Sequence, residues 1–269
     1  MENERNSDQY PQLKQVLLVL ALTLAITFFI AGLAALIGAR TELFLFEALI
    51  IVPALLYTLK HKYSVVQIFR LRRVNFKVLL ISIMLGFAFT IVSDEIDRVV
   101  QIFFPMPEQL QNAITAALKI ETISDFIIIA FSAVFLAAIV EEMLFRGFVQ
   151  TSLERELDIT KAVMSTALLF VIFHFNPWWS IQVMIFGIIL GVVAWKSNSI
   201  YPAIVMHAIN NSVALLMSNI NPKNFEWYVY KNHVSIPILI IAIVATVLGI
   251  KLFYRFCEES LSDRTHFDV

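Results

Sequence analysis

Residues Ala137-Ala138-Ile139-Val140-Glu141-Glu142-Met143-Leu144-Phe145-Arg146-Gly147 decide how this chain is read. They lie in a segment that is almost wholly apolar from residue 126 to 149, and about 20 apolar residues suffice for a helix to cross a bilayer. Three ionisable side chains therefore stand where hydrocarbon is expected. Each charge at the centre of a spanning helix costs roughly 2.5–3.5 kcal/mol on insertion scales, so such residues face an interior and mark a functional site. On a helix advancing about 100° per residue, Glu142 and Arg146 share a face and can pair. Glu141 points elsewhere. With Arg146 taken by Glu142, Glu141 is an unpaired carboxylate in apolar surroundings, the setting in which a glutamate serves as a general base. On a soluble helix the same spacing is an ordinary solvated salt-bridge face; the apolar span reverses that reading.

The 269 residues are 59% hydrophobic and 15% charged, with 23 Phe, only 7 Gly and a mean hydropathy of +0.79. That is the composition of a polytopic membrane protein. A formal net charge of −1 gives no sign of a nucleic-acid partner. The single cysteine, Cys257, excludes an intramolecular disulfide and a multi-cysteine metal cluster. The first apolar run is longer than the apolar core of a cleavable leader and reads as a retained signal anchor.

Eight spans are expected, at about 16–37, 43–59, 76–92, 126–149, 161–175, 180–195, 200–218 and 235–256, giving an all-α polytopic transmembrane bundle. Residues 1–15 and 257–269 read as tails, and 16–256 as one transmembrane domain with its core at about 125–218. Lys60, Lys62, Arg70, Arg72, Arg73 and Lys77 lie between spans two and three with no acidic residue among them, so that loop is cytoplasmic by the positive-inside rule. The loop 94–125 is acidic, with Asp94, Glu95, Asp97, Glu108, Glu121 and Asp125, and belongs outside. Both termini then fall in the cytoplasm. Within that loop, 107–120 reads as a helix with Leu110, Ile114, Ala117 and Leu118 on one side. Surface packing is the plainer reading; an interfacial lid or substrate guide is the sharper one. Gly187 and Gly191 stand at a close-packing spacing and read as helix contact without chemistry.

Two further polar groups fall on apolar spans. His174 ends the fifth, in Phe170-Val171-Ile172-Phe173-His174, and the turn between spans four and five centres near Leu157-Asp158. Glu141 and His174 are equidistant from that turn, which in an antiparallel hairpin sets them at one depth, able to hold a water between them. His207 and Asn211, four apart, share a face of the seventh span and can both donate to one oxygen. A base that activates water, with donors aimed at a developing oxyanion, is the minimum equipment for hydrolysing an amide. No serine or cysteine stands beside a histidine as a covalent nucleophile would.

Glu141-Glu142-x-x-x-Arg146-Gly147, Phe170-x-x-x-His174 and His207-x-x-x-Asn211, in that order on successive spans, resemble the motifs of the CPBP family. That family holds the type II (Rce-like) CAAX prenyl proteases and the bacteriocin-processing and abortive-infection proteins, and the resemblance covers roughly residues 125–218. It implies an intramembrane endopeptidase in which Glu141 and His174 activate water and His207 and Asn211 form an oxyanion hole, with Glu142 and Arg146 shaping the site. The substrate expected is a peptide or membrane-anchored protein segment, including a prenylated CAAX tail, met within the lipid; in a bacterium the location is the plasma membrane. The first three spans match nothing specific.

The family is often labelled as metalloproteases, and Glu141, His174 and His207 can in principle hold zinc with an open position for water. The helix pattern His-Glu-x-x-His is absent, so no cofactor is the favoured reading, zinc the alternative. Two other functions compete. A non-catalytic membrane scaffold or bacteriocin-immunity protein of the same fold would not need the full polar set. A transporter uses intramembrane carboxylates as proton relays, and is expected to show internal repeats, which the two halves do not.

Overall fold

The structure, a computed structural model, describes residues 10–37 and 42–267. Helix α1 (Leu13–Ile37) is followed by a 3-10 stretch (Glu42–Ile51) that runs into α2 (Val52–Lys60). A short turn of helix, α3 (Val65–Ile68), precedes α4 (Phe76–Phe103) and the outer helix α5 (Glu108–Ala117). Then come α6 (Ile123–Glu156), α7 (Ile159–Phe173), α8 (Ser180–Ser197), α9 (Tyr201–Asn219), a two-stranded hairpin (β1 Val229–Tyr230, β2 His233–Val234) and α10 (Ile236–Phe267). All eight expected spans fall on helical segments.

Five of these are long and apolar enough to cross a membrane: 13–33, 76–103, 123–156, 177–197 and 236–259, with the shorter apolar helix α7 beside them. The segments at 43–59 and 200–218 do not reach that length and hydropathy, the first because a 3-10 stretch shortens its α-helix and the second because His207, Asn210, Asn211 and Ser212 interrupt its apolar run. The outer surface is inverted relative to a soluble protein: Phe28, Phe29, Phe131, Phe135, Ile240 and Ile241 are all exposed, as lipid-facing side chains must be where no water competes.

Some boundaries differ from the sequence reading. Helix α4 continues eleven residues beyond the expected end of the third span, so Asp94, Glu95, Asp97 and Arg98 sit on helix, not in a loop. The hairpin explains why charge is tolerated there: Tyr228 donates to Asp94 at 2.8 Å, and Glu95 accepts from His233 Nδ1 and the Val234 amide, each at 2.7 Å. Helix α10 likewise runs through the expected C-terminal tail to Phe267. Helix α5 does form, with Leu110, Ile114, Ala117 and Leu118 half-buried and its other residues exposed. Asn219 fixes the end of that outer segment, donating to the Leu118 carbonyl and accepting from the Ile120 amide.

Two large apolar cores divide the bundle, with a small third one of Ile129, Val134 and Leu215. Of the large two, one gathers Val16, Ile51, Phe69, Leu144, Phe148 and Phe170 from α1, the 3-10 stretch, the end of α3, α6 and α7; the other gathers Leu85, Phe89, Phe186, Leu190, Met206 and Phe253 from α4, α8, α9 and α10. The polar residues singled out in the sequence lie along the seam between them.

Candidate functional site

Helix α6 carries the first group, and its local form is irregular. It is α-helical over Ile123–Ile129, π-helical over Ala130–Leu136, α-helical over Ala137–Glu142, and π-helical again over Met143–Val149. Glu141 and Glu142 thus end a short α segment held between two widened turns, an arrangement that recurs at functional sites because it re-aims side chains and frees carbonyls. Two freed carbonyls find side-chain partners: Asn211 Nδ2 donates to Ala133 at 2.9 Å and Thr151 Oγ1 to Arg146 at 3.4 Å. The chain starts this helix with a capping box, Thr122 and Asp125 each bonding the other's amide.

Glu142 and Arg146 are fully buried and form the pair expected from their spacing, Oε1 to NH1 at 2.8 Å. Arg146 also donates from NH2 to the Gly187 carbonyl at 3.1 Å and lays its guanidinium over the Phe170 ring, Cζ 4.3 Å from the centroid. Gly187 therefore does two things. A Cβ there would meet Ala167 at 3.1 Å, the close α7–α8 contact read from the sequence, and that closeness carries its carbonyl to Arg146. One turn on, the Gly191 carbonyl accepts from Gln150 in the same way at 2.9 Å. Sequence reasoning assigned these glycines to packing alone; Arg146 and Gln150, spaced four apart like the glycines, were the available signal.

His207 belongs to this buried centre too. Its Nδ1 lies 2.8 Å from Glu142 Oε1, and its Nε2 lies 3.9 Å from Glu141 Oε2. Because a carboxylate accepts, Nδ1 is the protonated nitrogen, and Nε2 faces Glu141. The ring is held by edge contacts with Phe170 and Phe186, centroids 6.0 and 5.8 Å away. On α7, His174 donates from Nδ1 to the Phe170 carbonyl at 2.8 Å, which leaves Nε2 as its free lone pair. Phe170 is thus the hub of the site: Arg146 stacks on it, and both histidines stand edge-on to it.

Glu141 and His174 come to one cavity. Both line an apolar cavity of about 500 Å³ whose walls include Thr27 and Ile30 of α1, Phe145 of α6 and Phe173 of α7. His207 is not among the residues that line that cavity, and among the described residues no hydrogen bond joins Asn211 to Glu141, His174 or His207. The sequence reading overlooked Glu47, on the 3-10 stretch before α2. It lines the same cavity as Glu141 and His174. The signal was present, since Glu47 is the one charged residue between Leu43 and Lys60.

Among the described residues no three His, Cys, Asp or Glu side chains are grouped to hold a metal, and His207 already spends one ring nitrogen on Glu142.

Fold and site together define an integral membrane protein built around a buried centre of carboxylates and imidazoles drawn from three helices. Residues 123–213 match the family described as type II CAAX prenyl endopeptidase, Rce1-like. The match spans α6 to most of α9, the helices that supply Glu141, Glu142, Arg146, His174, His207 and Asn211. No curated protein and no solved structure matches the chain.

Proposed function

We propose that this protein is an intramembrane endopeptidase that hydrolyses a peptide bond in a membrane-associated protein or peptide precursor, a prenylated CAAX-type tail included, with water activated by Glu141 and His174. The observation that carries this reading is the placement of Glu141 and His174 on the wall of one apolar cavity, with the free Nε2 of His174 turned away from its Phe170 bond. A water held between carboxylate and imidazole loses its proton to Glu141, and the hydroxide adds to the substrate carbonyl. The apolar walls contributed by α1 and α7 suit a hydrocarbon-bearing substrate arriving from lipid. Both termini are assigned to the cytoplasm, from the basic residues between α2 and α4, and in a bacterial host the location is the plasma membrane.

Glu142 and Arg146 orient His207, much as a buried carboxylate orients the base of a hydrolytic triad. With Nδ1 committed to Glu142, His207 donates to an oxyanion from Nε2 only while the ring carries both protons, its charge balanced by the two adjacent carboxylates. Asn211, with one amide hydrogen on Ala133, keeps the other for the same oxyanion.

The experiment is cleavage of a fluorogenic peptide set, farnesylated tails included, by purified protein in detergent. Wild type, Glu141→Ala and His174→Ala are compared with and without a chelator. Cleavage that is lost in both variants and survives chelation is expected. Loss on chelation restored by zinc would overturn the metal-free mechanism, and full cellular function in both variants would favour a non-catalytic scaffold.

A further inference from the structure

The cavity that Glu141 and His174 line has two aromatic side chains at its rim. Phe175, the residue after His174, lines the cavity and is more than half exposed. Its ring meets that of Phe28 on α1 edge-on, with centroids 4.9 Å apart. Phe28 is likewise more than half exposed, and its neighbours Thr27, Ile30 and Ala31 form the α1 wall of the same cavity. The pair therefore stands where the cavity meets the lipid. Phe28 lies outside the matched residues 123–213.

The backbone at Phe175 has a φ of 47°, a left-handed conformation that glycine adopts freely and a bulky side chain does not. His174 caps α7, and the amides of His174 and Phe175 turn back on the Val171 and Ile172 carbonyls. Phe175 thus takes the place after a helix C-cap where glycine is usual. A phenylalanine there strains the chain as glycine would not, and what it gains is the ring on Phe28. Strain of this kind collects at ligand clamps and switch regions. Helix α1 is held unevenly to match. Its start is tied to the end of α6: the Leu13 amide donates to Glu156 Oε1 at 2.8 Å, and Arg155 donates to the Tyr10 hydroxyl at 2.7 Å. Further along, the hydroxyls of Thr23 and Thr27 bond back within the helix, and a Cβ on Gly32 would meet nothing within 4 Å.

Resting on the protease reading above for the identity of what enters, we infer that Phe28 and Phe175 are specificity-determining residues, a gate through which substrate reaches Glu141 and His174 from the lipid. With the rings together the way in is barred. A swing of α1 about its tied start parts them and admits an uncharged, apolar segment of the substrate, since both sides of the opening are aromatic. Only the open fraction of the protein binds substrate, and the apparent affinity is reduced by that fraction. The two rings therefore act on KM and not on the chemical step.

The test reads the gate first without catalysis and then with it. A thiol set on the cavity wall by Thr27→Cys, in a Cys257→Ser background, is labelled with N-phenylmaleimide in lipid bilayers; Leu18→Cys, at an exposed position on the same helix, is the control. An edge-to-face ring pair is worth roughly a 2- to 12-fold change in an equilibrium, so Phe28→Ala and Phe175→Gly should each speed labelling of the cavity thiol by about that factor and leave the control unchanged. Combined, they should do no more than either alone, because both remove one contact. Phe175→Gly relieves the left-handed backbone, so its melting temperature should not fall; should it not remain monodisperse, Phe28→Ala, at an exposed position, carries the test. On a fluorogenic peptide both variants should lower KM by the labelling factor with kcat unchanged. Unchanged labelling, or effects that multiply in the double variant, overturns the gate and leaves the protease reading standing. So does a fall in kcat with KM unmoved, since Phe175 would then only support His174. Labelling that behaves as expected in a protein that cleaves no peptide keeps the gate and overturns the protease reading.

Discussion

His207 Nδ1 and Arg146 NH1 meet on one atom, Glu142 Oε1, each at 2.8 Å, at a point where all three side chains are buried. A carboxylate taken out of water on this scale is tolerable only because both neighbours donate to it, and removing one partner of such a pair leaves an uncompensated charge. Arg146→Ala is therefore expected to cost about 3–5 kcal/mol of stability, read from unfolding in mixed micelles, and to abolish cleavage by releasing His207. Arg146→Lys should not rescue it, because an ammonium cannot serve Glu142 and Gly187 from one fork while lying flat on Phe170. If Arg146→Ala unfolded like wild type, the buried pair would have no structural role.

The glycine that closes the first motif has a steric reason. A Cβ on Gly147 would stand 2.9 Å from the Cα of Phe69, backbone against backbone with no flexible group to yield. Gly147→Ala should cost about 1–3 kcal/mol through forced separation of α3 from α6. Gly32 on α1 has nothing within 4 Å of the same added atom, so Gly32→Ala should be neutral or gain up to about 1 kcal/mol from helix propensity. Thermal unfolding of both variants in one detergent checks the contrast. A tolerated Gly147→Ala would mean that α3 does not seat against α6 as described.

Asp158 starts the helix that carries Phe170 and His174. Its side chain accepts from the Lys161 amide at 3.0 Å and pairs with the Lys161 ammonium at 2.8 Å. The Lys161 side-chain bond first, then its backbone amide, hold the Asp158 carboxyl below its ordinary pKa of 3.8. A carboxyl depressed in the folded state adds stability that is fully present above its unfolded pKa and is lost as pH falls through the folded one. Asp158→Ala should lower the melting temperature at neutral pH, Asp158→Asn should restore most of the cap, and the gap between wild type and Asp158→Ala should close below about pH 4. A gap unchanged down to pH 2 would remove the carboxylate from the cap.

The sequence carried much of this because bilayer physics leaves few choices. Apolar run length located the helices, and the Glu142–Arg146 spacing identified a pair that forms as read. Glu141 and His174, read as equidistant from the turn at Leu157-Asp158, both line one cavity. What escaped depended on tertiary placement. The π-helical turns either side of Glu141 leave no periodic trace in an apolar segment. The bonds from Arg146 to Gly187 and from Asn211 to Ala133 end on carbonyls, which every residue possesses. Glu47 was visible as a charge in an apolar run, but only the packing of the 3-10 stretch on α6 brings it to the cavity that Glu141 lines.

Asn211 offers the sharpest check on the oxyanion assignment, because its amide has two donors with different duties. One holds the Ala133 carbonyl of the first π-helical turn at 2.9 Å; the other is the one the proposed mechanism gives to the oxyanion. Under the proposed mechanism Asn211→Ala removes both, and kcat should fall on the order of 10²–10³-fold, the usual cost of one oxyanion donor. KM should change little, since the bond strengthens only as charge develops. Asn211→Asp separates the duties from simple loss of a contact. A carboxylate cannot donate to Ala133 and sets a negative charge against the developing oxyanion, so its kcat should fall below that of Asn211→Ala. Both values come from initial rates on one fluorogenic substrate. An Asn211→Asp variant faster than Asn211→Ala would mean that Asn211 supports the π-helical turn and never meets the oxyanion.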